Sequence, residues 1–193
     1  MILIDLSNLS QTDIHKKAQE ISSVIKAQSG NRIDILIKSF DMEIIKFLYN
    51  LSYLDFTVEI NVLVKEDCRQ EQYDKSIILT ADADPSNEAS ASTSIDKQST
   101  KDPLKNKYEN VVNGGTFDYL HPGHKLLLSQ SCHLCNSRII VGVSELPPEK
   151  LAKKKFAGEM QALEERIEGV KHFIQLYKPS LKSLVIGILR ECL

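Results

Sequence analysis

Short β-branched runs alternate with stretches of helical period along most of this chain, and that alternation leaves few folds open. Met1–Leu6 is apolar and reads as a short strand. Ser10 and Asp13 then fit a capping-box helix start. Ile14, Ala18, Ile21 and Ile25 follow at the spacing of one helix face. Ile33–Ile37 is a second strand, and Asp41 caps a helix that buries Ile44, Leu48 and Leu51. Phe56, Val58, Ile60, Val62 and Val64 alternate with polar residues, which predicts a half-buried strand. Ser76–Thr80 suits another strand. Strands separated by helices predict an α/β layer structure.

Residues 81–107 interrupt the pattern. Ile95 and Leu104 are their only large apolar side chains, among many Ala, Ser, Asp and Lys. Such a stretch buries too little surface to offset its ordering entropy, so we read it as a disordered linker. It divides the chain into an N-terminal α/β unit, 1–80, with no assignable motif, and a second unit, 108–193.

The second unit repeats the alternation. A strand carrying Val111 and Val112 ends near Gly115, and Pro122 opens a helix at a position where its missing N–H is no loss. Leu128, Cys132 and Cys135 share a face of that helix. Arg138–Val143 is a strand. Leu163, Ile167, Val170, Ile174 and Tyr177 form the stripe of a helix that stops at Pro179, and Ser183–Leu189 is the next strand. The order β-α-β-α-β predicts a parallel sheet with right-handed crossovers.

Bulk properties narrow the function. The 193 residues carry a net charge of -2, so no overall basic field recruits nucleic acid. No apolar run approaches the roughly 20 residues of a membrane span. The N-terminus lacks signal-peptide features. Four scattered cysteines argue for a reducing compartment, and cytoplasm is the expectation. Cys132-His133-Leu134-Cys135 invites a zinc or redox reading, but no second ligand pair stands at suitable spacing. We therefore expect small core residues there and no resident metal.

The chemistry concentrates in Gly114-Gly115-Thr116-Phe117-Asp118-Tyr119-Leu120-His121-Pro122-Gly123-His124, between a strand and a helix. Glycines admit close backbone approach, and a helix start offers free N–H groups and partial positive charge to an anion. His121 and His124 straddle that start and can donate to phosphate oxygens. Asp118 can orient a histidine or brace the turn.

This segment resembles the signature of the nucleotidylyltransferase superfamily, with its GTFD turn and its H-x-G-H motif at His121–His124. Lys125-Leu126-Leu127-Leu128, the later IIVGVSELPPEKLAKKKF and EERIEGVKHFIQLYKPSL are similar to phosphopantetheine adenylyltransferases of eukaryotic, fungal and archaeal kind. The resemblance covers about Tyr108 to Val185. It implies a Rossmann-like parallel sheet and attack of the 4′-phosphate of phosphopantetheine on the α-phosphate of ATP. Dephospho-coenzyme A and pyrophosphate leave.

By the same resemblance, Gly114, Gly115, Thr116, Phe117, His121 and His124 bind nucleotide, and the two histidines are catalytic. Lys154 or Lys155, with Arg166, contacts phosphopantetheine. Arg166 also suits a helix surface beside Glu165 or Glu168. Mg²⁺ arrives with ATP. ATP and 4′-phosphopantetheine are the implied partners, and a complex with other coenzyme A biosynthetic enzymes is compatible with them. A non-catalytic remnant that binds nucleotide or only partners other proteins, and a CTP-dependent cytidylyltransferase, are the competing readings. The family's later D-P-x-G-like segment and Ser/Thr-rich phosphate motif have no match after Ser183–Leu193. The expectation is a truncated catalytic unit, poorly soluble and slow.

Overall fold

The computed structural model describes residues 1–28, 30–52, 58–69, 71–80, 103–145 and 157–189. Its N-terminal unit runs β1 (Ile2–Asp5), α1 (Gln11–Lys16), α2 (Ala18–Lys26), β2 (Arg32–Ile37), α3 (Met42–Ser52), β3 (Glu59–Val64) and β4 (Lys75–Ile78). The strands form one parallel sheet in the order β3-β2-β1-β4. The second unit runs β5 (Tyr108–Gly115), α4 (Pro122–Leu134), β6 (Cys135–Glu145), a short 3-10 turn at Ala157–Glu159, α5 (Leu163–Tyr177) and β7 (Lys182–Leu189). It is a parallel sheet in the order β5-β6-β7. The fold is α/β, as the alternation requires, and its parallel sheets are Rossmann-like, as the resemblance implies.

The local signals act as read. Asp13 N–H donates to Ser10 Oγ at 3.2 Å, and Ser10 N–H donates back to Asp13 Oδ2 at 3.3 Å, completing the capping box. Asp41 Oδ1 accepts from Ile44 N–H at 3.0 Å and caps α3. The single helix read across Ile14–Ile25 is in fact two, broken at Lys17, yet Ile14, Ile21 and Ile25 are all buried.

Three expectations need correction. Cys135 does not sit on the helix: it caps α4 and opens β6, although it is buried as expected. β3 is not half-buried. Asn61 and Leu63, on its supposed polar side, are as buried as Val62, because parallel sheets of α/β units are covered on both faces. Phe56 and Thr57 lie outside the described residues. So do 81–102, while 103–107 form a turn. There Asn106 N–H donates to His133 O at 2.9 Å, and Lys178 Nζ donates to Asn106 Oδ1 at 2.6 Å.

The two units share one apolar core, with Ile35, Leu48 and Val62 from the first and Leu128, Val141 and Ile174 from the second. α4 and α5 cover one face of the β5-β6-β7 sheet. The other face shows Val112, Leu184, Ile186 and Ile188, with Val112 73% exposed. Val112, Ile140 and Leu184 are register neighbours, so this is a continuous apolar row. Replacing Val112 and Leu184 together by Thr keeps β-propensity and should change stability by less than about 0.5 kcal/mol. Binding of a hydrophobic dye should fall and solubility should rise. Unchanged dye fluorescence would show the row to be covered.

Candidate nucleotide site

The strand–helix junction is built by steric fit. A Cβ on Gly115 would meet the Phe117 ring at 3.1 Å, so the glycine gives that ring room to fold back under the strand end. Phe117 is buried there, at φ 50°, and Tyr119 follows at φ 41°. Left-handed backbone at non-glycine residues costs about 1–2 kcal/mol each. Burial of Phe117 and a set of hydrogen bonds offset that strain. Asp118 Oδ1 accepts from Gln161 N–H at 2.9 Å, Tyr119 N–H donates to Gln161 Oε1 at 2.7 Å, and Tyr119 O–H donates to Glu159 O at 2.9 Å. Asp118 thus braces the turn against the segment before α5; of its two sequence roles, the structure shows this one.

His121 is the N-cap of α4, and its Nδ1 accepts from Gly123 N–H at 3.2 Å. An accepting Nδ1 puts the proton on Nε2, which leaves an N–H donor on the other side of the ring. A Cβ on Gly123 would meet that ring at 3.1 Å, so the glycine inside H-x-G-H leaves the ring room to fold over the helix start. One helical turn on, His124 stacks on His121 with centroids 3.8 Å apart and lies 5.1 Å from Phe117. His124 Nδ1 is buried and has no hydrogen-bond partner among the described residues. Burial, helped by the neighbouring His121 and opposed by Asp118, pushes the His124 pKa down to about 4.

His124 is therefore neutral at pH 7 and carries one N–H. The sign of its pH dependence follows. With a folded pKa near 4 and an ordinary value of 6.5, the unfolded chain takes up the proton first as pH falls. Stability is lost between about pH 6.5 and 4. His124→Gln, which cannot titrate, should melt with a shallower pH dependence across that window; parallel melting curves would show that His124 is not desolvated.

Arg166 is buried. Its Nη1 donates to Thr116 O at 2.8 Å and Ser144 O at 2.9 Å, and its Nε donates to Gln161 O at 3.1 Å. It joins the carboxyl ends of β5 and β6 to the start of α5, and is neither a surface residue nor paired with Glu165 or Glu168. Gly114 lies on β5 and Thr116 just past it, so Gly114, Gly115, Thr116, Phe117, His121 and His124 come together at one end of the sheet. Lys154 and Lys155 lie outside the described residues.

Cys132 and Cys135 are free thiols in the core, and burial pushes the Cys132 pKa up to about 12. Among the described residues no group of three or more His, Cys, Asp or Glu is placed to hold a metal. Lys178 Nζ donates to the carbonyls of Cys132 and Cys135 at 3.0 and 2.7 Å, closing the end of α4.

Lys125 is the residue whose place sequence reasoning missed. It is buried beneath the site, its amine turned to β3 of the N-terminal unit. The signal was present: Lys125, Leu128 and Cys132 stand at i, i+3 and i+7, so the lysine occupies the apolar face of α4.

Ligands of open parallel α/β sheets bind outside the carboxyl ends of the strands, where this constellation sits. Residues 112–184 match the cytidylyltransferase-like family. Over this segment the chain is similar to the nucleotidylyltransferase superfamily. Within it the similarity is to phosphopantetheine adenylyltransferases: the chain is 36% identical to that of Saccharomyces cerevisiae over 87 residues, 45% of this chain and 28% of the relative. It is 33% identical to that of Methanopyrus kandleri over 69 residues, 36% of this chain and 41% of the relative. It is also 38% identical over 76 residues to an uncharacterized protein of Schizosaccharomyces pombe, 39% of this chain and 23% of the relative. The chain thus spans between about a quarter and two fifths of these relatives. No solved structure matches it significantly. Among the described residues no helix is long and apolar enough to cross a membrane.

Proposed function

We propose that this chain takes part in adenylyl transfer from ATP to 4′-phosphopantetheine, giving dephospho-coenzyme A and pyrophosphate in the cytoplasm. The observation that carries the reading is the stacked His121–His124 pair at the start of α4, beside the Gly114–Phe117 turn. The substrate phosphate is itself the nucleophile: its oxygen bonds to the α-phosphorus as the bond to the bridging oxygen of pyrophosphate breaks. The protein therefore needs positioning and charge stabilisation more than a nucleophile of its own. His121 and His124 donate N–H groups to α- and β-phosphate oxygens. The backbone from Gly114 to Phe117 shapes the nucleotide side. Lys154 or Lys155 takes the phosphopantetheine phosphate. Arg166 holds the carbonyls of Thr116 and Ser144, which keeps the turn in place for the transfer. Mg²⁺ enters with the nucleotide, as Mg-ATP.

The test is pyrophosphate release by the 193-residue chain with ATP and 4′-phosphopantetheine, beside CTP and phosphocholine, with binding of each nucleotide measured by calorimetry. ATP should bind at least about tenfold tighter than CTP, a discrimination of about 1.4 kcal/mol. The opposite order would move the chain to the cytidylyltransferases. ATP binding without pyrophosphate release would favour a nucleotide-binding protein without turnover.

A further inference from the structure

β3 is the edge strand of the N-terminal sheet, and an exposed edge leaves backbone groups without partners. Here side chains fill them. Val62 N–H donates to Tyr49 Oη at 3.3 Å, and Ile60 O accepts from Lys125 Nζ at 2.9 Å. The same amine donates to Asn61 Oδ1 at 2.8 Å and to Glu59 Oε1 at 3.2 Å. Three acceptors match the three N–H donors of an ammonium group. Burial pulls the Lys125 pKa down and the Glu59 carboxylate pulls it back. A lysine sunk this deep is costly unless fully partnered, and full partnering fixes its direction.

The contact continues inward. Asn61 Nδ2 donates to Asp34 Oδ1 at 2.7 Å, and Asp34, fully buried on β2, also accepts from Arg32 and Tyr73. Arg32 Nη1 reaches His172 Nε2 on α5 at 3.3 Å. Both helices that frame the nucleotide turn are thereby anchored in β2 and β3, strands that lie outside the segment matched to the family. At its far end α4 is held again, where His133 stacks on Phe40 at 3.8 Å.

Lys125 directly follows His124. Its backbone N–H donates to His121 O at 3.1 Å, closing the turn that carries both histidines. We propose that the N-terminal α/β unit is a positioning platform for the nucleotide site, and that Lys125 is the positioning residue through which it sets His124. The inference rests on the adenylyltransferase reading for its purpose, and on the contacts above for its geometry. Binding groups must be held to within about 0.5 Å to be productive, and a site on one short turn gains that precision from a second layer of contacts. Among the described residues the Lys125 amine hydrogen-bonds to Glu59, Ile60 and Asn61 and to neither histidine, so it acts through the backbone that it shares with them.

The experiment uses the full chain with labelled histidine. The His124 titration is followed by NMR, assigned with His124→Gln, and ATP affinity by calorimetry, on variants whose thermal melts show a folded protein. The groups that face His124 are His121, Phe117 and Asp118, and none is altered. In Lys125→Met the loosened turn admits water, and the His124 midpoint should rise by about one unit or more toward its ordinary value. ATP should bind about ten- to a hundredfold more weakly. Glu59→Ala, at an exposed residue, removes one of the three acceptors and should shift both in the same direction by less; it decides the matter if Lys125→Met does not fold. A folded variant whose midpoint stays within about 0.3 units of the parent overturns the proposal. So does weaker ATP binding with an unmoved midpoint, since Lys125 would then act on the ligand directly. If the parent itself fails to bind ATP, the adenylyltransferase reading falls, and the midpoint still tests the platform.

Discussion

His124→Ala should weaken ATP binding by about ten- to a hundredfold, and should do so without destabilising the fold. The first part follows from what the ring offers. It carries one N–H, lies at the strand–helix junction, and has a buried nitrogen for which the described protein provides no partner. A hydrogen bond to a charged acceptor is worth about 1.5–3 kcal/mol, which sets the fold-change. If charge on the phosphates grows at the transition state, turnover suffers more than binding. Loss of one preorganised donor typically costs about 10²–10³ in kcat. The second part follows from the same orphan nitrogen. A buried unsatisfied polar atom costs about 1–3 kcal/mol, so its removal offsets part of the packing lost with the ring. The melting temperature should therefore stay close to that of the parent while affinity collapses. Calorimetry and a thermal melt on one preparation read both. Unchanged ATP affinity would take the motif out of the nucleotide site; a large fall in melting temperature would make His124 a core residue.

The site was more legible than the scaffold beneath it. Glycine, proline and histidine at a strand–helix junction announce local geometry, because each restricts a backbone or terminus in its own way. The structure uses those restrictions at Gly115, Gly123 and the His121 cap. Periodicity located the helices of both units and the capping residues Ser10 and Asp41. It failed at β3, since alternation in sequence predicts one wet face and cannot reveal that Lys125 and Asp34 stand ready to satisfy Asn61 on the other side. It also placed Cys135 on a helix one residue after that helix had ended. Long-range partners were the common blind spot. Lys125 meets Ile60 from 65 positions away, and Arg166 meets Thr116 from 50. In each case a charged side chain on the apolar face of a helix was the available clue, and a buried charge implies acceptors elsewhere in the chain.

Arg166→Met should lower stability by about 3 kcal/mol or more, the largest effect on folding expected for any residue of the site. Methionine matches the length and flexibility of the stem but removes three charge-assisted hydrogen bonds. Each is worth about 1.5–3 kcal/mol when measured singly, and they share one guanidinium, so their sum is less than additive. The carbonyls of Thr116, Ser144 and Gln161 would lose that donor at a buried junction. For a chain of this length about 3 kcal/mol lowers the melting temperature by about 6–12 °C. Arg166→Lys should recover part of this, because a single ammonium cannot span three carbonyls held by a planar fork. The turn carrying Phe117 and Tyr119 at positive φ would be first to relax, since Arg166 holds its carbonyl side while Asp118 holds the other. A purely substrate-binding arginine behaves differently: its loss would leave the ligand-free melt unchanged and raise only the KM for phosphopantetheine. A thermal melt without ligands therefore separates the two roles, and an Arg166→Met melt superimposed on that of the parent would return the residue to the substrate.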